Sequence, residues 1–87
     1  MTEETLHKFP CEFSIKSMGL AEPDFDALIV ELIRPHAPDL CESAVKTRPS
    51  KNGKYLAVTV TITAISKAQL DAIYQDLTDH EKVLMSL

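Results

Sequence analysis

Hydrophobic and polar residues alternate in several stretches of the chain, with the two-residue period of half-buried β-strands. Phe13 and Ile15 begin the first strand, which is expected to run to about Met18 and to end at Gly19. A second, shorter strand is predicted over residues 42–48. The clearest strand has apolar residues at every second position, namely Leu56, Val58, Val60, Ile62 and Ala64. A final strand is indicated by the alternating residues Val83, Met85 and Leu87.

Two other stretches have the 3.6-residue period of amphipathic helices. The first follows Pro23, a typical first-turn helical proline, and its apolar stripe consists of Phe25, Leu28, Ile29, Leu32 and Ile33. Pro35 cannot donate the next helical hydrogen bond, so this helix should end within residues 34–37. Ser66 followed three residues later by Gln69 matches a capping box and begins the second helix. The buried face of that helix is expected to contain Leu70, Ile73, Tyr74 and Leu77.

The order of these elements predicts the fold class. Asn52 and Gly53 lie between the second and third strands, and Asn-Gly is a strong hairpin signal because both residues tolerate positive φ. The resulting βαββαβ order predicts an α+β, ferredoxin-like two-layer sandwich whose antiparallel sheet has strand order 4-1-3-2. Leu56, Val58, Val60 and Ile62 should point toward the two helices. The other, open face should carry Ser14, Lys16 and Met18 from the first strand, Lys46 and Arg48 or their neighbours from the second, Thr59, Thr61 and Thr63 from the third, and Leu84 from the last.

Length and charge narrow the possible functions. The 87 residues allow one domain, which we place at residues 9–87 after a flexible polar tail at residues 1–8. The formal net charge of −4 argues against non-specific binding to nucleic acid or to acidic membranes. No apolar run approaches the ~20 residues of a membrane helix, and the N-terminus lacks a secretion-signal pattern. We therefore expect a cytoplasmic protein whose Cys11 and Cys41 are free thiols.

Several short motifs together resemble a known family of small bacterial proteins. They are Phe9 and Pro10, Lys16 with Met18 and Gly19, His36-Ala37-Pro38, Ser50 and Lys51 with Gly53 and Tyr55, the alternating strand at 58–64, Tyr74, and the Met85-x-Leu87 ending. In order and spacing they are similar to the YbeD-like family, a domain of unknown function. The resemblance implies a ferredoxin-like fold like that of the ACT domains, which bind amino acids and regulate metabolic enzymes. It implies no catalytic residues, and Cys11 and Cys41 are not part of the family pattern.

The resemblance to ACT domains points to a small-ligand site at one end of the sheet. The predicted ligand-binding residues are Met18, Gly19 and Leu20 in the first turn, and Ser50, Lys51, Lys54 and Tyr55 in the hairpin. A glycine permits close approach of a ligand to the backbone. The alternative is that Gly19 merely lets the chain turn and that the hairpin charges face water.

The opposite end of the domain should collect His36, Cys11 and Cys41. A cysteine–histidine pair can activate a nucleophile, but no orienting third group is evident. The first two strands are separated by the third, which places their axes about 9–10 Å apart, too far for a disulfide. A histidine near a helix C-terminus is also explained by the last carbonyls and the helix dipole. No catalytic residue, metal or cofactor is therefore expected.

Three functions remain as hypotheses. The first is a non-enzymatic regulatory module that senses a small metabolite. The second is a protein-interaction adaptor that uses the open sheet face or an edge strand, and its residues would be Lys16, Lys46, Arg48, Thr59, Thr61 and Thr63. RNA binding is disfavoured because the central strands lack the aromatic residues on which bases stack. A homodimer through the last strand or the helix faces is compatible with this fold.

Overall fold

The computed structural model describes residues 10–40 and 42–87. Their elements are β1 (Cys11–Leu20), α1 (Phe25–Ile33), β2 (Val45–Pro49), β3 (Tyr55–Ala64), α2 (Lys67–Asp79) and β4 (Met85–Ser86), with a one-turn 3₁₀ helix, Glu42–Ala44, before β2. The predicted tail at 1–8, together with Phe9 and Cys41, lies outside the described residues.

The strands form one antiparallel sheet in the order β2-β3-β1-β4. This is the predicted order 4-1-3-2 read from the opposite edge. The long central pair, β1 and β3, is in register over ten residues, with Ile15 opposite Val60. The two helices pack on one side of this sheet, which confirms the α+β class, and the other sheet face is covered by none of the described residues.

The alternation of β3 determines which sheet face meets the helices. Val58 and Val60 are fully buried, whereas Thr59 and Thr61 are half-buried and Thr63 is exposed, as the sequence predicts. The buried apolar residues form a single cluster between sheet and helices: Ile15, Phe25, Ile29, Ile33, Ala37, Leu40, Val58, Val60, Ile62, Ala64, Leu70, Ile73 and Leu77. Burial of these side chains is the main source of stability in a chain of this size.

The prediction that Gly19 ends the first strand is wrong. Strand β1 continues through Gly19, which lies opposite Leu56, to Leu20. A Cβ at position 19 would lie 2.5 Å from the Lys82 carbonyl oxygen and 2.6 Å from the Phe25 ring. The glycine is therefore explained by close packing inside a strand, a role that glycine also has in sheets.

The sequence assigns Leu84 to the open face and therefore turns Val83, Met85 and Leu87 toward the helices, which is wrong for Met85 and Leu87. Val83 packs against the core, but Met85 and Leu87 are 53% and 69% exposed. Met85 is the register partner of Met18, yet the amide of Leu84 donates to the Met18 carbonyl at 2.8 Å. Two residues thus oppose one, which is a β-bulge, and the bulge shifts the alternation by one residue.

The sequence predicts the N-terminus of α2 correctly and that of α1 only approximately. Ser66 caps α2, since its Oγ accepts a hydrogen bond from the Gln69 amide at 3.0 Å, and the Gln69 side chain accepts one from Ile65 N at 2.7 Å. Helix α1, in contrast, begins two residues after Pro23 and has no side-chain cap.

The hairpin between β2 and β3 lies where Asn-Gly predicts it. Gly53 has a φ of 76°, but Asn52 does not take positive φ, because the loop spans residues 51–54 rather than two residues. Longer hairpin loops of this kind are usually built around a type I turn, which needs positive φ at fewer positions.

Candidate functional site

The sheet face turned away from the helices, here called the uncovered face, carries the residues that alternate with the core. Cross-strand partners on it are Glu12 with Thr63, Ser14 with Thr61, Lys16 with Thr59, Met18 with Ala57, and Leu20 with Tyr55. Strand β2 adds Lys46 beside Thr59 and Arg48 beside Ala57. Strand β4 adds Met85 beside Met18. The predicted open-face residues Lys16, Lys46, Arg48, Thr59, Thr61 and Thr63 therefore do share one surface.

One corner of the uncovered face is apolar, and we call Met18, Leu20, Leu84, Met85 and Leu87 the apolar corner. Leu87 lies beside Lys16, because the two residues exchange backbone hydrogen bonds of 3.0 and 2.7 Å. Leu20 and Leu84 line a common cavity of about 240 Å³. The described residues include five exposed large apolar side chains, and four of them, Leu20, Leu84, Met85 and Leu87, belong to this corner.

The middle of the uncovered face is basic. Lys16, Lys46 and Arg48 are exposed and make no ion pair with any described residue. Glu12, at the far end of β1, is the only acidic residue in the four strands. The acidic residues of the described chain otherwise belong to the helices and their connections. A chain of net charge −4 thus presents a locally positive surface.

The structure brings the predicted ligand-binding turn and hairpin together. Leu20 lies opposite Tyr55, and the amide of Ala21 donates to the Lys54 carbonyl at 2.9 Å. The space beside Gly19, however, is filled by Phe25 and the Lys82 carbonyl. Glycine at this position therefore allows Phe25 and Lys82 to pack closely against β1 and leaves no room for a ligand. The ligand site at the turn and hairpin stays a prediction.

The polar side chains of the hairpin mostly bond within the loop. Ser50 Oγ donates to Asn52 Oδ1 at 3.2 Å and accepts from Tyr55 N at 3.0 Å. Lys54 Nζ lies 5.5 Å from the centroid of the Tyr55 ring. Lys51, exposed at the tip, has no partner among the described residues. Hydrogen bonds within the loop therefore fix its conformation, and Lys51 is the main charged group that it presents to another molecule.

At the opposite end of the domain, His36 bonds to a residue that the sequence did not indicate. Its Nε2 lies 2.6 Å from Oδ2 of Asp76 on α2, and Gln69 Nε2 donates to the His36 carbonyl at 2.8 Å. The exposed His36–Asp76 pair joins the end of α1 to α2, and such pairs contribute little stability. Cys11 is a half-buried free thiol at the start of β1, and Cys41 lies outside the described residues.

Burial raises the pKa of the Tyr74 phenol on α2, so this group stays protonated at neutral pH. Within residues 10–40 and 42–87, no cluster of three or more histidine, cysteine or acidic side chains is placed to hold a metal ion. Neither helix of this region is long and apolar enough to span a membrane.

Sequence reasoning missed two features of the surface. Met85 and Leu87 were assigned to the core because they alternate with Val83, and no sequence signal marks the bulge that reverses their facing. The pairing of His36 with Asp76 joins residues 40 positions apart, one in the turn after α1 and the other on α2, so it depends on helix packing rather than on any local pattern.

Comparison with known proteins shows full-length relatives. A family model described as "Protein of unknown function (DUF493)" matches residues 4–87. UPF0250 protein NE1487 of Nitrosomonas europaea is 44% identical over 87 residues, which are 100% of both chains. A UPF0250 protein of Chromobacterium violaceum is 47% identical over 85 residues, covering 98% of this chain and 96% of the relative.

A solved structure shows the same fold at low identity. The solution structure of protein HP0495 from H. pylori has a TM-score of 0.70 and 19% sequence identity, covering 93% of this chain and 85% of that one. This likeness supports the fold alone. The family match and the full-length relatives confirm the resemblance drawn from the short motifs: the chain belongs to the DUF493 family of UPF0250, or YbeD-like, bacterial proteins.

Proposed function

We propose that this domain is a non-enzymatic protein-interaction module that binds a partner protein on its uncovered sheet face. The observation that carries the proposal is the apolar corner. Exposed apolar side chains are common on proteins when they are scattered singly, but clustered ones mark interaction sites. Here four exposed apolar side chains gather at one corner of the face that the helices leave open.

The basic residues of the uncovered face indicate the chemistry of the partner. Lys16 adjoins Leu87, and Lys46 and Arg48 continue the positive surface toward β2. None of the three forms an ion pair with a described residue. The partner surface that fits is therefore an apolar cluster flanked by acidic side chains, because complementary charge speeds encounter and fixes orientation.

Two other classes of ligand fit this surface less well. Single-stranded RNA needs aromatic residues in the centre of such a sheet, where this chain has Lys16, Met18, Thr59 and Thr61. A small metabolite near Gly19 would meet space already filled by Phe25. We therefore favour the interaction module over the metabolite-sensing one.

The finer fold assignment belongs to the same proposal. The βαββαβ order and the strand order β2-β3-β1-β4 support a ferredoxin-like, ACT-like domain. In such a domain the helices cover one face of the sheet, so the other face remains accessible to a partner. A cytoplasmic location, with a partner in the same compartment, completes the proposal.

Site-specific photo-crosslinking in the native cells tests this function. A photoreactive amino acid at position 85 lies in the apolar corner, and one at position 75 lies on the exposed side of α2 as the matched control. We expect position 85 to give one defined protein adduct that position 75 does not give. The adduct should weaken in the Lys16→Glu variant, since that change removes the complementary charge next to Leu87.

Three results would contradict the proposal. The first is equal labelling from positions 75 and 85, which would indicate random contact. The second is an adduct with RNA, and the third is an adduct only with a second copy of this chain. Because each adduct has its own mass, a single labelling experiment separates these outcomes.

A further inference from the structure

Strand β2 (Val45–Pro49) forms the edge of the sheet farthest from the apolar corner. The amide of Ser50 donates to the Tyr55 carbonyl at 2.8 Å, so these two residues form a hydrogen-bonded pair. In an antiparallel ladder, bonded and non-bonded pairs alternate. Counting back along the unbroken register, the backbone groups of Lys46 and Arg48 bond to β3. The backbone groups of the alternate residues Val45, Thr47 and Pro49 point away from the sheet.

The outward backbone groups of β2 belong to Val45, Thr47 and Pro49. Proline has no amide hydrogen and is tolerated only where none is needed, so its presence at an outward position fits this register. Thr47 retains an N–H and a carbonyl that bond to no other described residue, and Val45 retains its carbonyl. The Val45 N–H closes the last i→i+3 turn of the 3₁₀ helix Glu42–Ala44. An added strand could therefore pair with these groups without disturbing the β2–β3 ladder.

A trough beside this edge has room for the side chains of an added strand. It lies between α1 and the helix-facing side of β2, and its volume is about 550 Å³. Val30 and Val45, both half-buried, form its apolar floor. Its remaining lining residues are Asp26, Ala27, Glu31, Arg34 and Thr47. Since side chains alternate along a strand, every second side chain of an added strand would enter this trough.

The intervening side chains of an added strand would lie on the uncovered face beside Lys46 and Arg48. Directly opposed side chains on neighbouring strands are about 4.5–5.5 Å apart, so opposite charges there attract and like charges repel. Acidic residues at these positions would pair with both basic residues. The β2 strand of a second copy would instead bring the same basic residues together.

We infer that the β2 edge binds an extended segment of a partner protein whose residues alternate between acidic and apolar, as a fifth strand of the sheet. Its backbone would bond to Thr47 and to the carbonyl of Val45. Its apolar side chains would fill the trough beside Val30, and its acidic side chains would meet Lys46 and Arg48. Strand addition of this kind is a known mode of peptide recognition. The inference does not depend on the apolar corner, which lies at the other side of the sheet.

Titration of the full chain with a synthetic peptide tests this inference. The probe is a capped peptide of about seven alternating valine and glutamate residues, long enough to span β2. We expect saturable shifts of the backbone NMR resonances of Val30 and of residues 45–48. Hydrogen exchange should slow at the amide of Thr47 but not at those of Lys46 and Arg48, which already bond to β3.

Two matched variants identify the edge as the binding element. Thr47→Pro removes an outward amide and leaves the β3 ladder intact, so binding should weaken about tenfold, the effect of one lost hydrogen bond. Thr47→Val keeps that amide and should bind as the unsubstituted chain does. If Thr47→Pro does not fold, the Lys46→Glu/Arg48→Glu variant replaces it. That variant should reject the glutamate peptide and bind the corresponding lysine–valine peptide.

Some results would overturn the inference. These are equal binding of the glutamate and lysine peptides by the unsubstituted chain, shifts confined to Met18 and Met85, or unchanged exchange at Thr47 at saturating peptide. Shifts at the apolar corner without shifts in β2 would leave the proposed function standing. Binding at β2 together with no adduct from position 85 would remove the proposed function and leave the fifth-strand site.

Discussion

Replacing Ile73 by alanine lowers the free energy of unfolding by about 2–5 kcal/mol, because it leaves a cavity in a core that cannot fully collapse around it. Ile73 is fully buried on α2, in the single apolar cluster between helices and sheet. A domain of this size has about 5–15 kcal/mol of total stability, so the loss is a large fraction of it. Chemical denaturation, followed by circular dichroism, measures the effect.

The chain contains its own control for this substitution. Ile65 is 64% exposed, so Ile65→Ala removes the same atoms without leaving a buried cavity. We expect a change within about 0.5 kcal/mol, as for ordinary surface substitutions. Similar losses for the two variants would mean that the helices do not enclose Ile73 as described.

Adding one methyl group at Gly19 has the second large effect. The Cβ of Gly19→Ala would lie 2.5 Å from the Lys82 carbonyl oxygen, a backbone atom that cannot rotate away, and 2.6 Å from the Phe25 ring. Overpacking of this kind costs about 1–3 kcal/mol, and sometimes more. The expected result is a lower denaturation midpoint and displaced resonances for Phe25 and for residues 80–84.

Gly53 is the matched control, because its backbone has positive φ and the space around it is open, whereas Gly19 lies in a strand and is closely packed. Its φ of 76° is unfavourable for alanine, but nothing lies within 4 Å of an added Cβ. Gly53→Ala should therefore cost about 1–2 kcal/mol through the backbone alone. Gly53→Asn should cost less, since asparagine tolerates this conformation. If Gly19→Ala had no effect on stability, Phe25 and the α2–β4 connection would not pack against β1.

Regular alternation and local caps made much of the fold predictable. In β3, ten residues with a strict two-residue period identify both the strand and its buried face, so Val58, Val60 and Ile62 were assigned correctly. The Ser66 cap depends on residues only three positions apart, and the sequence therefore shows it directly. The strand order then follows from the few ways in which such elements can connect.

The features that sequence reasoning missed depend on neighbours that are distant in the chain. Gly19 was taken as a strand end because the sequence does not show that Phe25 and Lys82 close over it. The facing of Met85 depends on a bulge in an edge strand of two residues, where too few alternating positions exist to define a phase. The candidate site was therefore partly predicted: its basic residues and Met18 and Leu84 of the apolar corner were assigned to the open face, and Met85 and Leu87 were not.

The net charge of the chain did not predict the positive charge of the uncovered face. A value of −4 averages over the whole chain, whereas the helices and connections hold most of the acidic residues and the strands hold Lys16, Lys46 and Arg48. Because exposed charges act within about 10 Å at moderate salt, a partner on the sheet face meets the local positive charge rather than the total. Charge is therefore informative here only after the fold assigns each residue to a face.

The free energy of unfolding of the Met85→Ser/Leu87→Ser variant tests most directly whether the apolar corner is exposed to solvent and therefore accessible to a partner. If the two side chains face solvent in the isolated chain, the free energy of unfolding should stay within about 0.5 kcal/mol of the unsubstituted value. A loss of about 2 kcal/mol or more, the size seen for buried side chains, would place both residues in the core and contradict the proposed docking surface.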